Sequence, residues 1–248
     1  MRAALREAIE ECAIDPRPVR VHGVLTDDHG GWTYQTVLAN AAAPLPAAAV
    51  SEETSEVAWV PEADVERLPL HPGFAGQWPA LRTALSPLTI IVDAANVMGS
   101  RPDGWWRDRA GAARRLVDQI GELALSGVTR LPESVPAPAI DRWFPHFVVV
   151  LEGAAAAMAD AGGPGRSGGS GGSGGGGGSG GSGDSGEDSQ PRIVRARGSG
   201  DDEIVRQTAG IAGIAGPRLV VTADRELRSR CEAVGAFMVG PRWLLDLL

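Results

Sequence analysis

The chain contains no lysine. Its 23 strongly basic side chains are all arginine, set against 31 acids, for a net charge of -8 and an isoelectric point near 5.1. That balance excludes a general nucleic-acid coat, which needs a basic stripe, so any polynucleotide would be held by local arginines. It does not exclude a nuclease, because metal-binding carboxylates add negative charge at the site itself. Cysteine is nearly as scarce. Cys12 and Cys231 stand in widely separated segments, which argues against a disulfide framework or a cysteine zinc site and points to a reducing, cytoplasmic setting. No apolar run approaches the roughly 18 residues that span a bilayer. The acidic, helical start MRAALREAIEEC is unlike a signal peptide. A soluble protein without a membrane partner is expected.

What is present changes rhythm at Ser86-Pro87, where proline stops a helix and biases its neighbour toward extended backbone. Residues 1–14 read as a helix. Val19, Val21, Gly23 and Leu25 alternate with polar residues, Asp27 to Gly31 is turn material, and Trp32, Tyr34, Thr36 and Leu38 resume the period of two. This is a hairpin pattern. Residues 56–61 (EVAWVP) read as a short strand, 64–68 as a helical turn and 77–85 as a short helix.

From Leu88 the pattern is strand, helix, strand. TIIVDAANV opens with an apolar strand of the doubly buried kind. Residues 110–125 carry Ala113, Leu116, Val117, Ile120, Leu123 and Ala124 at helical spacing. HFVVVLEG, RIVRARG, RLVVTAD and AFMVG read as further strands, with helices DDEIVRQTAGIA and RELRSRCEAVG among them. Such alternation implies right-handed crossovers and a parallel sheet. The Gly/Ser tract at about 162–190 cannot bury enough apolar surface to order itself. It reads as a disordered insertion in a surface loop of one domain at 88–248, because each doubling of a loop costs only about 0.6 kcal/mol.

In an open parallel sheet, ligands bind beyond the carboxyl ends of the strands. Asp93 follows the first apolar strand, with Asn96 three residues on. Glu152 ends the second strand, Asp201 and Asp202 open the helix after the third, and Asp224 ends the fourth. Acids gathered there without a cation would have raised pKa values and destabilise the fold, and hard divalent cations with oxygen ligands are the usual remedy. Each acid has a plainer alternative. Asp201 and Asp224 sit where aspartate caps helices, and Glu152 can be a solvated strand end. Asp93, directly after Thr89-Ile90-Ile91-Val92, is costly without a partner.

The segments TIIVDAANVMGS, GSGDDEIV and VVTADRELRSRCEAVGAFMVGP, in that order, resemble the PIN-like nucleases and, within them, the NYN group. The resemblance covers about residues 88–160 and 190–248. It implies a Rossmann-like α/β fold and a Mg²⁺- or Mn²⁺-dependent ribonuclease. Asp93, Asp201, Asp202 and Asp224 would be metal ligands, and Asp93, Asp202 and Asp224 the catalytic set. Asn96 would orient a phosphate or a water on the metal. Glu152 matches no position of the family pattern, so its role stays open. Trp105-Trp106-Arg107-Asp108-Arg109 follows in the loop RPDG and beyond. Rings beside arginines can stack a base and grip phosphates, which makes Trp106, Arg107 and Arg109 candidate substrate contacts. The plainer reading is packing where helix meets sheet.

The first 85 residues carry a second resemblance. Arg6 to Ile14, REAIEECAI, is similar to the second half of a Nudix box. Glu7, Glu10 and Glu11 share one helix face, where like charges repel unless a metal relieves them. The downstream text DDHGGWTYQTV, EVAWVP and LPLHPGFAGQWPAL is similar to the same hydrolases of nucleoside diphosphate derivatives. The family's box glycine is Ala13 here. The upstream glycine and first glutamate of the box are absent, so an incomplete α+β fragment is expected, with Glu7, Glu10 and Glu11 as carried-over metal ligands. Three functions follow: a PIN-like ribonuclease acting on RNA, a Nudix pyrophosphohydrolase if the true start lies upstream, or a PIN-like scaffold that binds a nucleotide or a partner protein without turnover.

Overall fold

The computed structural model describes residues 2–136, 140–153, 155, 190–210 and 216–248. Apart from Gln190, the expected Gly/Ser insertion lies outside the described residues. The chain opens with helix α1 (Arg2–Cys12), none of whose residues is buried. It ends where Ala13 adopts a φ of 52°, with Ala13 N–H donating to Ile9 O at 3.0 Å and Ile14 N–H to Ala8 O at 3.2 Å. The first of these is the 5→1 bond of the αL closure, which favours glycine at the left-handed position.

Strands β1 (Arg20–Asp28) and β2 (Thr33–Asn40) form the expected antiparallel hairpin. Its turn is closed by a bond from His29 N–H to Trp32 O, with Gly30 at a φ of 77°. A bulge lies between Val21 and Gly23. A 3-10 turn (Glu62–Arg67) precedes helix α2 (Pro72–Thr83). Helix α2 starts five residues before the expected position, because Pro72 suits the first helical position and the His71 side chain accepts from Gly73 N–H. Residues 56–61 form no strand, which corrects the sequence expectation. They lack the alternating buried face a strand needs: Ala58, Trp59 and Val60 are all exposed. The Trp59 indole instead donates to Leu45 O at 2.8 Å.

The remaining strands are β3 (Thr89–Asp93), β4 (Arg142–Trp143), β5 (His146–Leu151), β6 (Arg192–Arg195), β7 (Arg218–Val221) and β8 (Phe237–Val239). Helices α3 (Ala94–Gly99), α4 (Arg109–Ser126), α5 (Gly200–Gly210), α6 (Arg225–Ala233) and α7 (Pro241–Leu245) lie between and after them. Five strands form one parallel sheet in the order β6-β5-β3-β7-β8. Counted in chain order, these five strands read 3-2-1-4-5 across the sheet, a Rossmann-like arrangement whose order reverses between β3 and β7.

Both faces of this sheet are covered, as its apolar strands require. Successive side chains point to opposite faces. Ile90 and Val92 therefore join Phe147, Val149, Leu219 and Val221 under α4 residues Leu116 and Ile120. Ile91 joins Val148, Val150 and Val220 on the other face, against Ile204 of α5 and Leu227 of α6. Each of these apolar side chains contributes about 1.5–3 kcal/mol when fully buried.

The hairpin is not closed by its own half of the chain. Strand β4, between α4 and β5, adds a third strand to β1, pairing Trp143 with Gly23 and Arg142 with Val24. Ile140 and Trp143 complete a small core with Leu38, Trp78, Leu81 and Ala84. Packing there is tight enough that a Cβ on Gly23 would stand 2.8 Å from Ile140 Cδ1. Among the described residues, no helix is long and apolar enough to cross a membrane.

Candidate active site

A cleft of about 470 Å³ opens where the strand order reverses, lined by Asp93, Asn96, Glu152, Asp201 and Asp224 among others. Its floor follows from β3 and β7 lying side by side. Asp93 ends β3, and its Oδ1 accepts the Asn96 N–H at 3.0 Å, capping α3. Its Oδ2 accepts the Thr222 hydroxyl at 2.8 Å, just past β7. The Asn96 side chain crosses the same gap, with Oδ1 accepting the Ala223 N–H at 2.9 Å. That bond fixes the amide's orientation, since a backbone N–H can only meet the oxygen. The amide nitrogen is left as the donor for a ligand in the cleft.

The other acids arrive from separate elements. Asp224 caps α6, accepting the Leu227 N–H at 2.8 Å. Glu152 lies just past β5, and its Oε2 accepts the Gly200 N–H at 2.9 Å. Asp201 stands in the first turn of α5. There the Ser199 hydroxyl accepts the Asp202 N–H.

The electrostatics mark a site short of positive charge. Burial pushes the Asp93 carboxyl above its ordinary value; hydrogen bonds from Asn96 N–H and Thr222 oppose this, and the charges of Asp201 and Glu152 add to it. Asp201 is raised in the same direction by burial, then by Asp224 and Glu152, with Arg230 opposing. Carboxylates that raise one another are stabilised by a cation.

The donors are hard oxygens, which suit Mg²⁺ or Mn²⁺. Among the described residues, however, no three His, Cys, Asp or Glu side chains are arranged to hold one metal ion. A cation held here would rest on one or two carboxylates and its own waters, as Mg²⁺ commonly does.

Asp202 departs from the expected set. Its side chain is 70% exposed and pairs with Arg230 at 2.5 Å, and it does not line the cleft. Consecutive helical residues point about 100° apart, so when Asp201 faces inward, Asp202 is carried outward to α6. Glu152, which the family pattern left without a role, occupies the cleft in its place. Its position at a strand end was the one signal available.

Of the aromatic pair, Trp105 packs on the main core with the Arg109 guanidinium 5.4 Å from its ring centre. Trp106 is 57% exposed, and Arg107 is exposed beside it. Gly99 connects this segment to the site: it lines the cleft, and a Cβ there would lie 3.8 Å from the Trp105 ring. Glu7 and Glu10 do not converge with any of these acids. They project from α1 and pair with Arg6 at 3.1 and 3.6 Å. Glu11 contributes its backbone carbonyl to Val50 N–H.

No protein-family model matches the chain. Part of it is 38% identical over 95 residues to the "Putative 8-oxo-dGTP diphosphatase 3" of two strains of Mycobacterium tuberculosis, covering 36% of this chain and 42% of those proteins. It is 34% identical over 90 residues to a "Nucleoside triphosphate pyrophosphatase/Nudix hydrolase fusion protein" of Bifidobacterium longum, covering 36% of this chain and 19% of that one. The chain thus spans less than half the length of these relatives. Among solved structures it is similar to a variant of Rae1 (YacP) from Bacillus subtilis, with a TM-score of 0.40 and 13% identity over 64% of this chain and 72% of that one. The chain is a mixed α/β protein, and part of it is related at modest identity to Nudix-type hydrolases.

Proposed function

We propose that this protein is a metal-dependent hydrolase whose C-terminal cleft cleaves phosphodiester bonds of RNA, in the manner of a PIN-like ribonuclease. The observation that carries this reading is the meeting of Asp93, Glu152, Asp201 and Asp224 in one cleft at the reversal of strand order. A bound Mg²⁺ or Mn²⁺ would activate water and neutralise charge on the phosphate. The chain's own residues do the rest. Thr222 and the Asn96 N–H hold both oxygens of Asp93 in place. The Asn96 amide nitrogen donates to a phosphate oxygen. Asp224 keeps one oxygen on its helix cap and turns the other to the cleft. Asp202, paired with Arg230, stands outside this inner set and tempers the charge at its rim. Trp106, with Arg107 and Arg109, offers a ring for a base and cations for the neighbouring phosphates. Water's oxygen bonds to phosphorus as the bond to the leaving sugar oxygen breaks, and the proton that water gives up ends on that sugar oxygen. The expected outcome is Mn²⁺-stimulated cleavage of single-stranded RNA that is lost in Asp93→Asn with the fold intact. No cleavage with any divalent metal would overturn the assignment. Metal-dependent nucleotide binding without product would make the cleft a binding scaffold.

A second reading is favoured by the relatives rather than by the cleft. Their identity of 34–38% supports a Nudix pyrophosphohydrolase that splits nucleoside diphosphate derivatives, with Glu7, Glu10 and Glu11 as its metal ligands. On this reading, a chain extended upstream of Met1 hydrolyses such a nucleotide. Glu10→Gln abolishes that reaction, and Asp93→Asn spares it. Equal loss in both variants would defeat the idea of two independent sites.

A further inference from the structure

We propose that Gly200 is a positioning residue: the missing side chain there lets Glu152 reach the first N–H of α5 and fixes its carboxylate in the cleft, a role that rests on reading the cleft as a divalent-cation site. Glu152 Oε2 accepts the Gly200 N–H at 2.9 Å. A Cβ added at Gly200 would stand 2.5 Å from that oxygen and 3.0 Å from the carboxyl carbon. The first distance is closer than a Cβ can stand and the second is tight, and both atoms are the far end of a flexible side chain. The group that yields is therefore Glu152, not the backbone.

Backbone freedom is not the reason for glycine here. Gly200 lies outside the left-handed region, and glycine is a weaker helix former than alanine. A Cβ at Gly198, two residues earlier, would meet nothing within 4 Å, so the close approach is specific to position 200. The contact ties one oxygen of Glu152 to the positive end of the helix that also carries Asp201. The other oxygen is left for the cleft, and two acids from different elements move as one unit. Partners that orient a ligand in this way are worth about 10–100-fold in metal affinity.

The test uses the full chain and Mn²⁺ alone as the probe, titrated by calorimetry, with thermal melting as the check on folding. Gly200→Ala is expected to melt close to the wild type and to bind Mn²⁺ about tenfold more weakly, while Gly198→Ala binds as the wild type does. In cleavage assays the Gly200→Ala loss falls on kcat, with KM for RNA held. Wild-type Mn²⁺ affinity in Gly200→Ala would overturn the positioning role and leave the cation site standing. Failure of the wild type to bind Mn²⁺ would overturn the cation site and the role together. Should Gly200→Ala fail to fold, Glu152→Asp withdraws the carboxylate from the same N–H without touching the helix. It is expected to show the same tenfold loss, and undiminished affinity there would overturn the role.

Discussion

Two groups of acids in this chain look alike in sequence and differ in space. Glu7, Glu10 and Glu11 share a face of α1, within one turn and a half of helix. Asp93, Glu152, Asp201 and Asp224 are spread over more than 130 residues, yet they line one cleft. The α1 acids project from a helix with no buried residue, and Arg6 partly balances them. The cleft acids sit where the backbone of a buried sheet ends, and burial and mutual repulsion raise two of them. Proximity along the chain produced a solvated face, whereas convergence in the fold produced a site with unbalanced charge. A surface ion pair is worth little; a carboxylate cluster gathered around the buried Asp93 is a standing cost that a ligand can relieve.

Asp93→Asn is the sharpest way to break the comparison, because its effects on activity and on stability run in opposite directions. Cleavage of RNA is expected to fall at least about a hundredfold, since the variant removes a cation donor at the centre of the site. Stability follows linkage. The folded-state pKa of Asp93 is raised, so the native chain holds this proton more tightly than the unfolded chain does. Its stabilising contribution is complete below the unfolded value and is lost as pH rises through the folded one. In metal-free buffer, Asp93→Asn should therefore melt above the wild type at neutral pH, and the gap should close as pH falls into the carboxylate range. Mn²⁺ should raise the wild-type melting temperature by mass action and leave the variant where it was. A variant that melts lower at neutral pH would show that Asp93 is held by structure, not strained by charge.

Ile140→Ala probes the joint between the two regions. Ile140 is buried against Leu38, Trp78 and Trp143, and truncating such a side chain costs about 2–5 kcal/mol. Chemical denaturation followed by tryptophan fluorescence measures it. A change of less than about 1 kcal/mol would mean that the hairpin does not depend on the segment after α4.

That joint is also where sequence reading stopped. The continuous apolar runs in TIIVD and HFVVV, and the helical spacing of 110–125, made β3, β5 and α4 legible, because a strand buried on both faces is apolar throughout and a helix with one dry face repeats its apolar residues. Arg142-Trp143 is too short to carry any period, so β4 could not be seen. The order of strands was hidden for a different reason: it depends on which faces meet. Likewise the acids at the strand ends could be named, but choosing Asp201 over Asp202 needs the rotation of α5. EVAWVP misled because β-prone residues alternate there without a partner strand to receive them.

The smallest expected effect lies at the end of α1. Ala13 holds a φ of 52° at the position where the αL closure favours glycine. A non-glycine residue in the left-handed region costs roughly 1–2 kcal/mol. Ala13→Gly should therefore stabilise the chain by about 1 kcal/mol, after discount for the added freedom of glycine in the unfolded state. Urea denaturation measures the gain, and RNA cleavage should not change, because α1 contributes nothing to the cleft. Destabilisation would mean that the turn after Cys12 is held by contacts beyond the helix. A gain in stability accompanied by altered RNA cleavage would couple α1 to the cleft and dissolve the contrast between the two groups of acids.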